Sequence, residues 1–267
     1  MKNTFSAILY GEKGSGCSVA AATSPLPMLV VDVDQNWSSV PRTERIKKVH
    51  GRALSVIDWN TAKEAIPVHT EGCGWDVCRV QISDWTMFAK IPKILRERKH
   101  AFESVVVDSL SSAGTLALAR AWPKFESESK DDAMSQKKWG VVKAHIERTV
   151  SEYMYALGDT AQTVKTLVFT AVPGKISETN HTLVPGLPGS ARETVQYTVG
   201  MCAYMMSTPV TAAKGEMPSG YKYLAYMGKG LIEGVTTGSS YMDALGMATR
   251  DLNITEAYKK IYGEETQ

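Results

Sequence analysis

The chain has 267 residues, 43% of them hydrophobic and 22% charged, with a formal net charge of +2. That is enough to bury a sizeable core as one α/β unit, and it is too balanced to mark a polyanion binder, so a nucleic-acid partner would need a local basic patch. The cysteines Cys17, Cys73, Cys78 and Cys202 show neither C-x-x-C spacing nor a neighbouring histidine cluster, which argues against zinc and for free thiols in a reducing compartment. No apolar run approaches the ~20 residues that span a bilayer, and Met1-Lys2-Asn3-Thr4 leads into a strand with no signal-peptide pattern, so a cytoplasmic protein with no membrane partner is expected.

Ala7-Ile8-Leu9-Tyr10 reads as a strand feeding Gly11-Glu12-Lys13-Gly14-Ser15-Gly16-Cys17-Ser18. This is the phosphate-binding pattern Gly-x-x-x-x-Gly-Lys-[Ser/Thr] with Cys17 in the lysine position. Gly11, Gly14 and Gly16 let the backbone curl until its N–H groups, that of Ser15 among them, converge on an anion, and Ser18 offers a hydroxyl to Mg²⁺. Ser18-Val19-Ala20-Ala21-Ala22 begin a helix whose positive end faces the phosphates. The missing element is the ammonium that neutralises the β- and γ-phosphates of a nucleotide.

Pro27-Met28-Leu29-Val30-Val31-Asp32-Val33-Asp34 is a second apolar strand ending in acids, and Ala53–Ile57 and Cys78–Ile82 are shorter strands. Ser83 and Asp84 cap a helix to about Lys99, with Phe88, Ile91, Ile94 and Leu95 at helical spacing and Pro92 marking a kink or a late start. Phe102–Ser109 is a β-branched run that presents Asp108 at its end. Asp108 either holds the Mg²⁺ shell or caps the next helix, a role for which Ser109 and Ser111 compete. A helix over Leu110–Ala121 follows, then a charged, aperiodic stretch, Pro123–Lys138, read as an exposed loop. Next come an amphipathic helix over Trp139–Leu157, a core strand over Lys165–Ala171, strands at Met201–Met206 and Tyr221–Tyr226, and a helical tail over Tyr241–Tyr262. The alternation predicts a twisted, mainly parallel sheet flanked by helices: a core over 1–235 with a helical tail, 236–267, packed on it. Gly11–Ser18, Asp34, Asp108 and Thr170 would then share the C-terminal edge of the sheet.

The order of Gly11–Ser18, Val30–Asp34, Val105–Leu110, Trp139-Gly140, Leu167–Ala171 and Leu187-Pro188-Gly189-Ser190 resembles the RecA-like P-loop ATPases encoded by bacteriophages, most of all the single-strand-annealing proteins of the Sak type. The resemblance runs from about Phe5 to Leu231. It implies a RecA-like core and ATP with Mg²⁺ bound between subunits of a ring or filament. It also implies single-stranded DNA as partner in phage recombination or replication, in the host cytoplasm, with a phage single-strand-binding or replication protein as a further partner.

The chain departs from that family where the chemistry occurs. Cys17 replaces the lysine. The water-polarising glutamate is replaced by Asp34, one methylene shorter. The strand that usually ends in a polar sensor of the γ-phosphate ends here in Thr170-Ala171-Val172. Together these predict weak or absent hydrolysis. Lys13 either folds back over the phosphates or is a solvated loop lysine. Cys17 is either a small apolar filler or a thiol activated by the helix terminus.

For DNA, the resemblance points to the segments after the third and fourth core strands, Pro123–Lys138 and Pro173–Gly189. Lys175, His181 and Arg192 are the basic candidates, set against a plain solvated loop. Lys222 and Lys229 flank a late strand where the family often carries residues that reach a neighbour's phosphates; outward-facing strand lysines are the other reading.

Overall fold

A computed structural model describes residues 4–61, 65–70, 72–97, 99–121, 136–158, 164–177, 179–188, 190–210 and 221–263. Strand β1 (Phe5–Tyr10) is buried throughout and runs into the glycine loop and a short helix, α1 (Cys17–Ala21). Strand β2 (Met28–Asp32) is followed by a 3₁₀ turn (Trp37–Arg42), α2 (Glu44–His50), β3 (Val56–Asp58), β4 (Val77–Gln81) and α3 (Trp85–Glu97). Next come β5 (Ser104–Asp108), α4 (Leu110–Ala121), α5 (Gln136–Gly158) and β6 (Thr166–Ala171). A hairpin of β7 (Pro173–Lys175) and β8 (Leu183–Pro185) leads to α6 (Ala191–Thr198), β9 (Met201–Pro209) and β10 (Tyr221–Tyr226). The chain closes with β11 (Gly238–Ser239), α7 (Met242–Leu245), β12 (Ala248–Arg250) and α8 (Ile254–Tyr262).

One large sheet runs in the order β12-β10-β9-β1-β6-β5-β2-β4-β3, with β11 added on β9. From β9 to β3 every pairing is parallel, whereas β10, β11 and β12 are antiparallel additions. Strands buried on both faces need apolar residues at every position, and helices cover each side. Ile8 and Tyr10 of β1 face the layer that holds Phe88, Ala117, Ile146 and Val195 of α3 to α6. Ala7 and Leu9 face the layer that holds Ala20, Ile46 and Tyr258 of α1, α2 and α8. This is a mixed α/β fold with a large, mostly parallel sheet between helices, consistent with a P-loop NTPase core.

Several elements differ from the sequence reading. The expected strand at Ala53–Ile57 shrinks to β3, and β2 ends at Asp32, two residues before Asp34. The expected loop over Pro123–Lys138 lies outside the described residues up to 135, and from Gln136 it is already α5. The segment expected as a loop from Pro173 holds a hairpin, since β7 and β8 pair from Pro173↔Pro185 to Lys175↔Leu183. The tail is not continuously helical. Gly246 (φ 76°) ends α7 and Asp251 (φ 49°) turns the chain after β12, which pairs with β10 between them. Helix α8 restarts after Asn253, whose side-chain oxygen caps it by accepting from Glu256 N–H at 3.1 Å.

Candidate nucleotide-binding site

The parallel strands deliver their C-terminal ends to one cleft of about 480 Å³, lined by Gly11–Val19, Asp34, Asn36, Asp108, Ser109, Thr170, Ala171, Val172 and Tyr223. The loop is shaped by its glycines. Gly14 (φ 86°) and Gly16 (φ 88°) are left-handed, and a Cβ on Gly11 would collide with the Met205 carbonyl oxygen. Gly16 caps α1 without a side-chain hydrogen bond. The first N–H groups of that helix therefore stay available to an anion.

Asp108 is 2% exposed, and its Oδ1 accepts from Ser18 Oγ at 3.1 Å and from the Thr170 hydroxyl. Its Oδ2 is buried with no partner among the described residues. Burial drives the carboxyl upward, with the charges of Asp34 and Asp32 adding to it; the Ser18 and Thr170 hydrogen bonds oppose the shift, and the result is about 6. The helix-capping role goes instead to Ser109, whose Oγ accepts from Ser112 N–H at 3.3 Å, so Asp108 is left to face the loop. The peptide joining Asp108 to Ser109 is cis.

Asp34 stands beside Asp108, its N–H donating to the Asp108 carbonyl at 3.2 Å, and its Oδ1 accepts from the hydroxyls of Ser109, at 3.1 Å, and Ser112. The residue in register with Asp108 on the neighbouring strand is Asp32, fully buried, with Arg79 at 3.9 Å. Thr170 spends its hydroxyl on Asp108. Beyond it, Val172 is 49% exposed and offers no polar side chain, and its N–H donates to Ser111 Oγ at 3.1 Å.

The Cys17 sulfur lies 3.3 Å from Ser15 Oγ, and burial pushes the thiol up to about 12. That direction disfavours the thiolate and favours the small-filler reading over the activated thiol. Lys13 is exposed and makes no hydrogen bond or ion pair among the described residues.

The structure thus brings Gly11–Ser18, Asp34, Asp108 and Thr170 together, while Lys175, His181, Arg192, Lys222 and Lys229 lie outside the cleft lining. Arg192 is a strut: its Nη1 and Nη2 donate to the carbonyls of Lys175, at 2.9 Å, and Ile176, at 2.8 Å. Lys175 and His181 are exposed on the same hairpin. Lys222 sits beside Tyr223 on β10, so the two side chains point to opposite sheet faces, and Lys229 is exposed in the turn that follows. Sequence reasoning missed Tyr223 itself. The alternation of Tyr221-Lys222-Tyr223 puts the tyrosine on the opposite face from Lys222, but only the antiparallel addition of β10 to β9 carries it to the loop. A second cleft, about 510 Å³ between α3 and α5, is lined by charges that pair locally, Lys93 with Glu97 at 3.9 Å and Arg148 with Glu152 at 2.9 Å.

The model of the AAA domain family matches residues 3–230, a span that holds the loop, Asp108, Thr170 and Tyr223. The chain belongs to the AAA domain family. It is therefore an ATPase-like nucleotide-binding protein of the P-loop class, and AAA-type P-loop domains bind ATP with Mg²⁺. No curated protein matches the chain.

The residues of this AAA domain fit such a ligand with one exception. The orphaned Asp108 Oδ2 beside the Ser18 hydroxyl suits a Mg²⁺ shell, and the open N-terminus of α1 suits phosphate. The exception is the cation of the loop, absent at Cys17. Among the described residues, no helix is long and apolar enough to cross a membrane.

Proposed function

We propose that this AAA-domain protein binds Mg²⁺·ATP at Gly11–Ser18 with little or no turnover and works on single-stranded DNA as a RecA-like, phage-type annealing or recombination protein. The observation that carries the nucleotide part is the Ser18–Asp108 pair at 3.1 Å beneath the open end of α1. In this reading Ser18 and Asp108 hold the Mg²⁺, whose charge when bound neutralises phosphate oxygens. The loop N–H groups hold the phosphates, and Asp34 is the group nearest to orienting a water. The DNA part rests on the order of motifs shared with phage RecA-like proteins. That resemblance also supports a homo-oligomer, ring or filament, with the loop near a subunit boundary, and a phage single-strand-binding or replication protein as partner.

A second reading, a pseudo-ATPase scaffold in which nucleotide is dispensable, is favoured by Cys17, a neutral thiol where the family has an ammonium, and by the apolar Val172. Measuring ATP affinity with and without EDTA, ATP turnover, and single-stranded-DNA affinity on one preparation separates the two. Mg²⁺-dependent ATP binding with turnover far below the ~1–100 s⁻¹ usual for phosphoryl-transfer enzymes supports the first. DNA binding without ATP binding supports the second. Neither activity would end both.

A further inference from the structure

We infer that Tyr223 is a phosphate-contacting residue of the nucleotide site, supplying from the sheet a stronger hydrogen-bond donor than the Cys17 thiol can supply from the loop. This rests on the nucleotide-binding reading above and concerns the di- or triphosphate of that ligand. The ring is seated on the loop: a Cβ on Gly16 would stand 2.7 Å from Tyr223 Cδ1 and 2.9 Å from Cε1. Gly16 is the N-cap of α1, so the ring edge lies at the point where a P-loop turns its N–H groups toward phosphate. Tyr223 also lines the cleft, is half-buried, and its phenol has no hydrogen-bond partner among the described residues. A half-buried phenol at an anion site is a donor awaiting an acceptor.

The ring is also backed by charge. The Arg45 Cζ lies 5.5 Å from its centroid. That guanidinium is fixed by an Nη2 hydrogen bond to the Leu252 carbonyl at 2.5 Å, while its Nη1 is buried without a partner among the described residues. A cation on the ring face draws electron density from the π-system and makes the phenol O–H a better donor. A positive charge thus stands one ring away from the loop, on α2, with the Asp251 carboxylate, just after β12, acting on it. At the loop, the Cys17 thiol itself is turned to Ser15 Oγ at 3.3 Å.

The ring could instead act only as a wedge that fills the space left by Gly16, and Tyr223→Phe separates the two because it keeps the wedge and removes the donor. Titration calorimetry with ATP, ADP and adenosine, beside thermal melting of the ligand-free protein, reads both. The expected result is unchanged melting and unchanged adenosine binding, with ATP and ADP bound about 10-fold more weakly, the scale of one hydrogen bond to a charged acceptor. Wild-type ATP affinity in Tyr223→Phe would overturn the inference, and a defect confined to Tyr223→Ala would assign the ring to packing. If Tyr223→Phe binds normally while Lys13→Ala does not, the donor is Lys13. A wild-type protein that binds no nucleotide at all would sink the nucleotide reading and this inference together, a result distinct from normal binding in Tyr223→Phe.

Discussion

Ser18 and Asp108, 90 positions apart in the chain, meet at 3.1 Å where the glycine loop turns into α1. The hydroxyl and the carboxylate reach each other because β1 and β5 flank β6 in one parallel sheet and end at the same edge. Thr170, at the end of β6 between them, donates to the same Oδ1 and leaves Oδ2 unpaired among the described residues. A buried carboxylate with one free oxygen is costly in the empty protein and favourable once a cation is bound.

That cost predicts a pH dependence. The Asp108 carboxyl titrates at about 6 in the folded protein, against 3.8 for an unperturbed carboxyl. Between those values the folded chain holds a proton that the unfolded chain has lost, so stability falls as pH rises through the window and is level above it. At ~1.4 kcal/mol per pH unit the loss is about 3 kcal/mol in all. Urea denaturation of the ligand-free protein at pH 4.5 and pH 7.5 should show Asp108→Asn more stable than wild type at the higher pH and close to it at the lower. Equal pH slopes in the two proteins would show that Asp108 is not the buried acid responsible. In the same variant, stabilisation by Mg²⁺ with nucleotide should disappear.

The cation that the loop pattern expects at position 17 can be supplied. Cys17→Lys puts a cation where the loop usually directs one at the β- and γ-phosphates, a charge-assisted contact worth ~1.5–3 kcal/mol, or about 10- to 100-fold in ATP affinity. Turnover should rise much less, because Asp34 is held by Ser109 and Ser112 and Val172 carries no polar sensor. Titration of ATP·Mg²⁺ against wild type, Cys17→Lys and Lys13→Ala checks this. A loss in Lys13→Ala alone would show that the displaced lysine already makes the contact. No change in either variant would favour the scaffold reading.

The parallel heart of the molecule is legible in the sequence because its strands are buried on both faces and therefore read as continuous apolar runs: Ala7–Tyr10, Val30–Asp32, Val105–Asp108 and Leu167–Ala171 each stand out without any partner. The cleft follows, since Gly11–Ser18, Asp108 and Thr170 end or follow those runs. The elements that escape a reading of the sequence are those defined by their neighbours. The strands β7, β8 and β12 are three residues each, too short for a period, and exist only because another strand lies beside them. Arg192 reads as a free cation, but its two carbonyl partners sit 16 and 17 residues earlier, on a hairpin that no turn motif announces.

Gly16 carries two constraints at once, a φ of 88° and the Tyr223 ring within 3 Å of where a Cβ would stand. Gly16→Ala should therefore cost stability by ~1–3 kcal/mol and weaken ATP binding, because the loop must shift away from the ring. Gly14, with φ 86° but open space around it, meets only the first constraint. Denaturant midpoints of the two alanine variants check this: Gly16→Ala should lie below Gly14→Ala, and equal midpoints would mean the ring yields at no cost.

Arg192 and its hairpin give the last test, which separates holding the fold from touching DNA. Both guanidinium nitrogens that donate are committed to the Lys175 and Ile176 carbonyls, and Nε is buried. Arg192→Ala should lower stability by about 1–2 kcal/mol and open the Pro173–Pro185 hairpin to limited proteolysis. Lys175 and His181 lack that role in their side chains, so a Lys175→Ala/His181→Ala variant should melt as wild type does. If the hairpin touches single-stranded DNA, that variant should bind it more weakly and with a shallower salt dependence, by ~0.7 in the log–log slope for each phosphate left without its cation. An unchanged slope, measured by fluorescence anisotropy across a salt series, would take the Lys175 and His181 side chains out of the DNA path, and leave Arg192 a residue of the fold alone.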